Sequence, residues 1–153
     1  MVAGKLYIRS IFFYFRRAIE DGSRRLAANR NITLEVYTGT YGVIKLYDSE
    51  GVAREIFLDH DNKKVPVPKI FYKILLDKSQ SAGVVLIGVN NPHVTMKEIN
   101  RDYIFCNDVS HKIKYIKWRL NDIRRGFVYA CEVGDFLKNV PHLNIYNLKS
   151  LLI

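Results

Sequence analysis

Residues 65–77 read VPVPKIFYKILLD and residues 83–91 read GVVLIGVNN. Both runs are dense in β-branched and aromatic side chains, which fit a pleated, half-buried surface. Pro66 and Pro68 set an extended entry to the first run, because a proline disfavours the helical region for the residue before it. Lys78 to Ala82 reads as a turn, and the second run is an uninterrupted apolar stretch of the kind that makes a buried strand. The two runs are expected to pair as an antiparallel hairpin.

Upstream, ITLEVYTGTYGVIKLYD at 32–48 predicts two strands, or one broken at Gly39. Asp48 to Gly51 reads as a turn, VAREIFL as a returning strand, and His60 to Lys64 as a polar loop. Further upstream, Ile11, Phe15, Ala18, Ile19, Gly22 and Leu26 recur at helical steps and share one face, while Arg16, Arg17, Glu20, Asp21, Arg24 and Arg25 lie largely on the other. Asn29-Arg30-Asn31 ends that helix, since Asn tolerates a left-handed turn. Downstream, Thr95 with Glu98 forms a capping box for a short helix over 95–102. Asp108 or Ser110 is expected to start another helix carrying Ile113, Ile116 and Trp118. A last helix is expected through CEVGDFLKNV, stopping before Pro141. A helix, then strands, then helices is the order of an α+β domain with a mostly antiparallel sheet.

The bulk numbers agree with one packed domain. The chain has 153 residues, 48% of them hydrophobic and 25% charged, which leaves no room for wholesale disorder. Lys and Arg number 24 against 15 acidic residues, a net charge of +9. Such a field attracts polyanions, although a basic protein need not have a polyanion partner. No apolar run reaches the roughly 18 residues of a membrane span. The opening MVAGKLYIRSIFFYFRR imitates a signal peptide only weakly, because Arg9 interrupts its apolar stretch and no small-residue cleavage site follows. Cys106 and Cys131 are the two cysteines; a reduced pair and a disulfide are both open, and the absence of Cys-x-x-Cys excludes a zinc knuckle or thioredoxin motif.

Independent catalytic signals are sparse. His60, His93, His111 and His142 form no zinc-protease spacing, and no phosphate-binding Gly-rich loop or nucleophile elbow occurs. Asp59-His60-Asp61 offers carboxylates to a metal, but such a run is more commonly a polar hairpin loop. Glu20 and Arg24 sit one helical turn apart. They make either an exposed intrahelical ion pair or a site in which a carboxylate orients metal-bound water and Arg balances phosphate charge.

Three stretches taken together favour the second reading. LEVYTGTYGV at 34–43, VPVPKIFYKILLD at 65–77 and LIGVNNP at 86–92 resemble, in order and spacing, the DNA/RNA non-specific endonucleases. The second resembles the family's Val-Pro-x-x-Phe/Tyr-Phe/Tyr-Lys strand. CNDVSHKIKYIKW and GFVYACEVGDF point to the insect digestive and salivary branch, with a more distant likeness to endonuclease G. The resemblance runs from about Ile19 to Leu143. It implies a ββα-metal nuclease (His-Me finger) fold and hydrolysis of phosphodiester bonds in DNA and RNA. The cofactor it implies is one magnesium ion, with a histidine of an Asp-Arg-Gly-His motif activating water. Phosphate contacts give affinity without reading the base, and the net charge suits that.

The departures carry equal weight. No Asp-Arg-Gly-His run occurs in the sequence. In the family's helix an Asn ligates the metal, followed at four-residue steps by Trp, Glu and Arg. Glu20 and Arg24 match the last two, whereas Phe12 stands at the Asn position and Arg16 at the Trp position. Phe offers no oxygen to a hard cation. The expected organisation is therefore a divergent or truncated segment at 1–17, the carboxyl-terminal portion of an endonuclease domain at 18–143, and a tail at 144–153. Expected activity is near background, with Glu20 and Arg24 as supporting residues and no direct metal ligand. A non-catalytic nucleic-acid-binding module and a non-functional fragment are the alternatives. The resemblance also implies secretion, and with it a disulfide between Cys106 and Cys131.

Overall fold

The computed structural model describes residues 17–91, 93–118, 123, 126–145 and 148–153. Residues 17–30 form helix α1. It ends at Asn31, which takes the left-handed conformation with φ 51°, as an Asn at a helix end can. The strands that follow are β1 (Glu35–Val43), β2 (Lys45–Tyr47), β3 (Ala53–Glu55), β4 (Phe57–Asp59), β5 (Lys64–Pro66), β6 (Pro68–Asp77) and β7 (Ala82–Val89). A short helix α2 (Met96–Glu98) runs into a π-helical turn (Ile99–Tyr103), and a single 3-10 turn covers Ser110–Lys112. Strand β8 (Val128–Cys131), helix α3 (Val133–Leu137) and strand β9 (Ser150–Leu151) complete the order.

The main sheet runs β1-β6-β7-β8, every pair antiparallel, with β9 parallel to the start of β7. The β6–β7 hairpin is its centre, in register from Ile70↔Val89 to Asp77↔Ala82. Asp77 shapes the turn: its Oδ1 accepts from the Ser79 amide at 2.9 Å and from the Ser79 hydroxyl. Alternation along these strands makes two cores, one on each face. On one face Leu75, Val84, Leu86 and Ala130 pack with Ile19 and Leu26 of α1 and with Ile113 and Ile116. On the other, Ile70, Tyr72, Ile74, Val85, Ile87 and Tyr129 pack with Ile99, Tyr103 and Phe136. The molecule is α+β, a largely antiparallel sheet with helical segments on both faces.

Four sequence expectations need correction. The strand at 35–43 is not broken at Gly39. Gly39 is the register partner of Tyr72, and a Cβ there would collide with the tyrosine hydroxyl, so the glycine accommodates a ring across the pair. The break falls at Ile44, whose amide donates to Val67 O while its own carbonyl accepts from the Ile56 amide. VAREIFL is likewise split, at Ile56, into β3 and β4. No helix forms over 113–118: Ile113 and Ile116 enter the core from irregular backbone held by the Trp118 indole, which donates to Ile113 O at 2.9 Å. Cys131 belongs to strand β8 rather than to the last helix, which is confined to Val133–Leu137. The capping box stands as expected: the Thr95 amide donates to Glu98 Oε2 at 2.8 Å, and the Glu98 amide to Thr95 Oγ1 at 3.3 Å.

Candidate functional site

Helix α1 lies on the sheet through a narrow stripe. Gly22 is buried at the contact, where a Cβ would stand 2.8 Å from Tyr115 O and 3.1 Å from Ile116 Cγ1. The Ser23 hydroxyl satisfies itself on Ile19 O at 2.7 Å. That approach is to the irregular segment at 115–116, while Glu20 meets strand β6. There Phe71, Lys73 and Leu75 project towards the helix by the two-residue period of a strand. Lys73 Nζ donates to Glu20 Oε1 at 3.3 Å, and the two side chains retain 16% and 30% of their exposure.

Glu20 thus meets a cation across the helix–sheet interface. Arg24 is exposed, and its guanidinium makes no ion pair with Glu20. Sequence reasoning missed Lys73, although the signal was present. It is the last residue of the Val67-Pro68-x-x-Phe71-Tyr72-Lys73 run, and the alternation Phe71, Lys73, Leu75 places a charge on an inward face. Phe12 and Arg16, the residues at the expected Asn and Trp positions, lie outside the described residues.

The asparagines that close the third stretch, Asn90 and Asn91, tie β7 to backbone and side-chain partners. Asn90 Nδ2 donates to Pro68 O at 2.7 Å, tying the end of β7 to the start of β6. Asn91 Nδ2 donates to the Tyr103 hydroxyl at 3.0 Å, and its Oδ1 accepts from the His93 amide. Burial pushes the Tyr103 phenol up. Its ring carries Lys69 Nζ at 4.9 Å from the centroid, and burial there lowers the Lys69 ammonium. Below this cluster Cys106 and Cys131 are joined in a disulfide, Cα to Cα 5.9 Å.

The histidines do not converge. His60 sits in the hairpin turn between β4 and β5, where Asp59 spends both carboxylate oxygens on Asn62 Nδ2 at 3.1–3.2 Å. His93 and His111 are exposed, and His142 stacks near Tyr41 at 6.4 Å between centroids. Among the described residues no three His, Cys, Asp or Glu side chains gather as ligands for a metal ion. Magnesium wants several oxygen ligands, and Glu20, the carboxylate at the family position, faces an ammonium instead. The described residues therefore do not by themselves fit a directly coordinated magnesium ion.

A sheet with this hairpin at its centre and a helix laid against it through Glu20 and Lys73 bring together the runs at 34–43, 65–77 and 86–91. The sequence profile of the DNA/RNA non-specific endonucleases matches residues 16–136, and the chain belongs to that family. Among curated relatives, it is 32% identical over 134 residues to salivary protein Tsal1 of Glossina morsitans morsitans, covering 85% of this chain and 33% of that protein. Against the salivary endonuclease of Lutzomyia longipalpis it is 28% identical over 123 residues, covering 78% of this chain and 28% of the relative. The chain therefore spans about a third of the length of the curated relatives it matches. No solved structure matches the sequence. The α+β sheet and its flanking helices are consistent with the ββα-metal nuclease fold.

Proposed function

We propose that this chain is the nucleic-acid-holding scaffold of a metal-dependent, non-specific endonuclease, and that as a chain of 153 residues it binds DNA and RNA without cutting them. The observation that carries the reading is the Glu20–Lys73 pair. A family-position carboxylate is held on the sheet by the lysine that ends the family's own strand motif, in a sequence with no Asp-Arg-Gly-His run. Glu20 and Arg24 act here as supporting residues. Glu20 fixes the helix against β6, and Arg24 presents an exposed cation one turn further on. The net charge of +9 supplies sequence-independent attraction to phosphate. Salivary relatives and the Cys106–Cys131 bond support a place outside the cell.

Incubation of purified chain with supercoiled plasmid and magnesium tests this. The expected result is plasmid unchanged over hours. Magnesium-dependent nicking that disappears in Glu20→Ala contradicts it. The reading of the chain as a fragment that does not fold alone draws on one observation: Val36 and Tyr37 on edge strand β1 are 51% and 44% exposed. A cooperative thermal transition of the isolated chain argues against that reading.

A further inference from the structure

Glu20 and Arg24 occupy one flank of α1. At 100° per residue, Arg25 and Asn29 lie roughly 140–180° round the axis from Glu20, on the opposite flank. There the helix borders a cleft of about 430 Å³. Its far wall is the irregular segment after the 3-10 turn. The three-residue step that sends Ile113 and Ile116 into the core sends Lys114 and Lys117 outward. Arg25 and Arg30 face them, Tyr115 and Leu26 form an apolar floor, and no acidic side chain lines the cleft among the described residues. Arg30 is partly engaged, donating to the main-chain oxygen of Ile153 at 2.6 Å. Arg25, Lys114 and Lys117 make no ion pair among the described residues.

We propose that this cleft is a second phosphate-binding site, an exosite that holds the nucleic-acid backbone on the flank of α1 away from Glu20. The argument is one of charge. Two arginines in the last turns of a helix are explained by its negative C-terminal end alone. Two lysines from a separate, non-helical segment converging on them are not. Arg30 is met by Ile153, the last residue of the sequence, but Arg25, Lys114 and Lys117 repel one another around the same concavity, an arrangement that costs stability unless a further anion completes it. The helix end opposes an anion only weakly, and the cations on the two walls outweigh it. The half-buried Tyr115, its hydroxyl donating to Leu152 O at 3.2 Å, holds the floor rigid between the two cationic walls. Nucleic acid is favoured over a lipid surface because the site is a concave slot on a nuclease scaffold. The proposal rests on the nucleic-acid-binding reading above.

The test uses the whole chain, a fluorescein-labelled 20-base-pair duplex, and salt from 50 to 200 mM. Lys114→Ala/Lys117→Ala is compared with Lys64→Ala/Lys97→Ala, a control with equal loss of charge outside the cleft. All four lysines are exposed, and thermal melts by circular dichroism check that each variant is folded. The cleft variant is expected to lose about tenfold or more in affinity at moderate salt, and its log–log salt slope to shrink by about two. The control is expected to change little. Equal losses in both variants overturn the exosite but leave nucleic-acid binding standing. No duplex binding by the unsubstituted chain at low salt overturns the binding reading, and the exosite with it. Vesicles of phosphatidylserine that bind through Lys114 and Lys117 where duplex does not would reassign the cleft to membrane headgroups and sink the proposal.

Discussion

Lys73 shows how one residue joins the strand motif to the helix. Its side chain is 16% exposed and meets Glu20 across 53 residues of sequence. Removing one partner of a mostly desolvated pair leaves the other charge inadequately solvated, and for partly exposed groups this costs about 1–2 kcal/mol. Glu20→Ala is accordingly expected to lower the urea midpoint with the m-value unchanged, whereas Arg24→Ala leaves stability within about 0.5 kcal/mol. Asp135 offers a second test at this scale. Its carboxylate accepts from the Asn107 amide at 2.9 Å and from Lys138 Nζ at 3.0 Å. The Asn107 amide first, and then Lys138, hold it below the ordinary carboxylate range. A folded-state value below the unfolded one means that the unfolded chain binds the proton more readily. Stability from this group is then present above the unfolded value of about 4 and is lost as pH falls below it. The deficit of Asp135→Asn in thermal midpoint is expected to be largest at pH 6 and to shrink towards pH 3. A deficit constant across that range counts against the assignment.

At the scale of elements, the central hairpin was legible in the sequence because two long apolar runs flank a polar turn, and nothing else satisfies such runs. Helix α1 was legible from its periodicity and from Asn31. Strand β8 was not. VYAC is too short to show alternation and abuts a helix-like run, and its place in the sheet comes from pairing with Val85–Gly88. Residues 113–118 misled because an apolar step of three is the signature of a helix, yet an irregular chain meets it equally well. The alternation of β6 marks Lys73 as inward, but the Glu20–Lys73 contact stayed hidden because local spacing does not name a partner on a distant element. Two elements meet through Gly22. Gly22→Ala would gain helix propensity, about 1 kcal/mol in an exposed helix. Here the added methyl meets Tyr115 O, so a net loss of about 1–3 kcal/mol is expected by chemical denaturation. The Cys106–Cys131 bond closes a loop of 25 residues. Cys106→Ser/Cys131→Ser is expected to cost about 3 kcal/mol, and alkylation without reductant to leave the mass of the unsubstituted chain unchanged.

The whole molecule is organised about the five-stranded sheet. Both cores are closed by the central sheet, with α1 on one face and the 94–106 segment and α3 on the other. No helix among the described residues is long and apolar enough to cross a membrane. Exposed basic side chains line both flanks of α1, Arg24 on one and Arg25 on the other. No Asp-Arg-Gly-His run occurs in the sequence. The most direct measurement follows fluorescence anisotropy of a labelled duplex mixed with the chain in magnesium at low salt, over several hours, with the strands sized at the end. The account predicts a rise to a plateau that salt reverses and strands of full length. A rise that decays as shortened strands accumulate, with the decay abolished by Glu20→Ala, would contradict it.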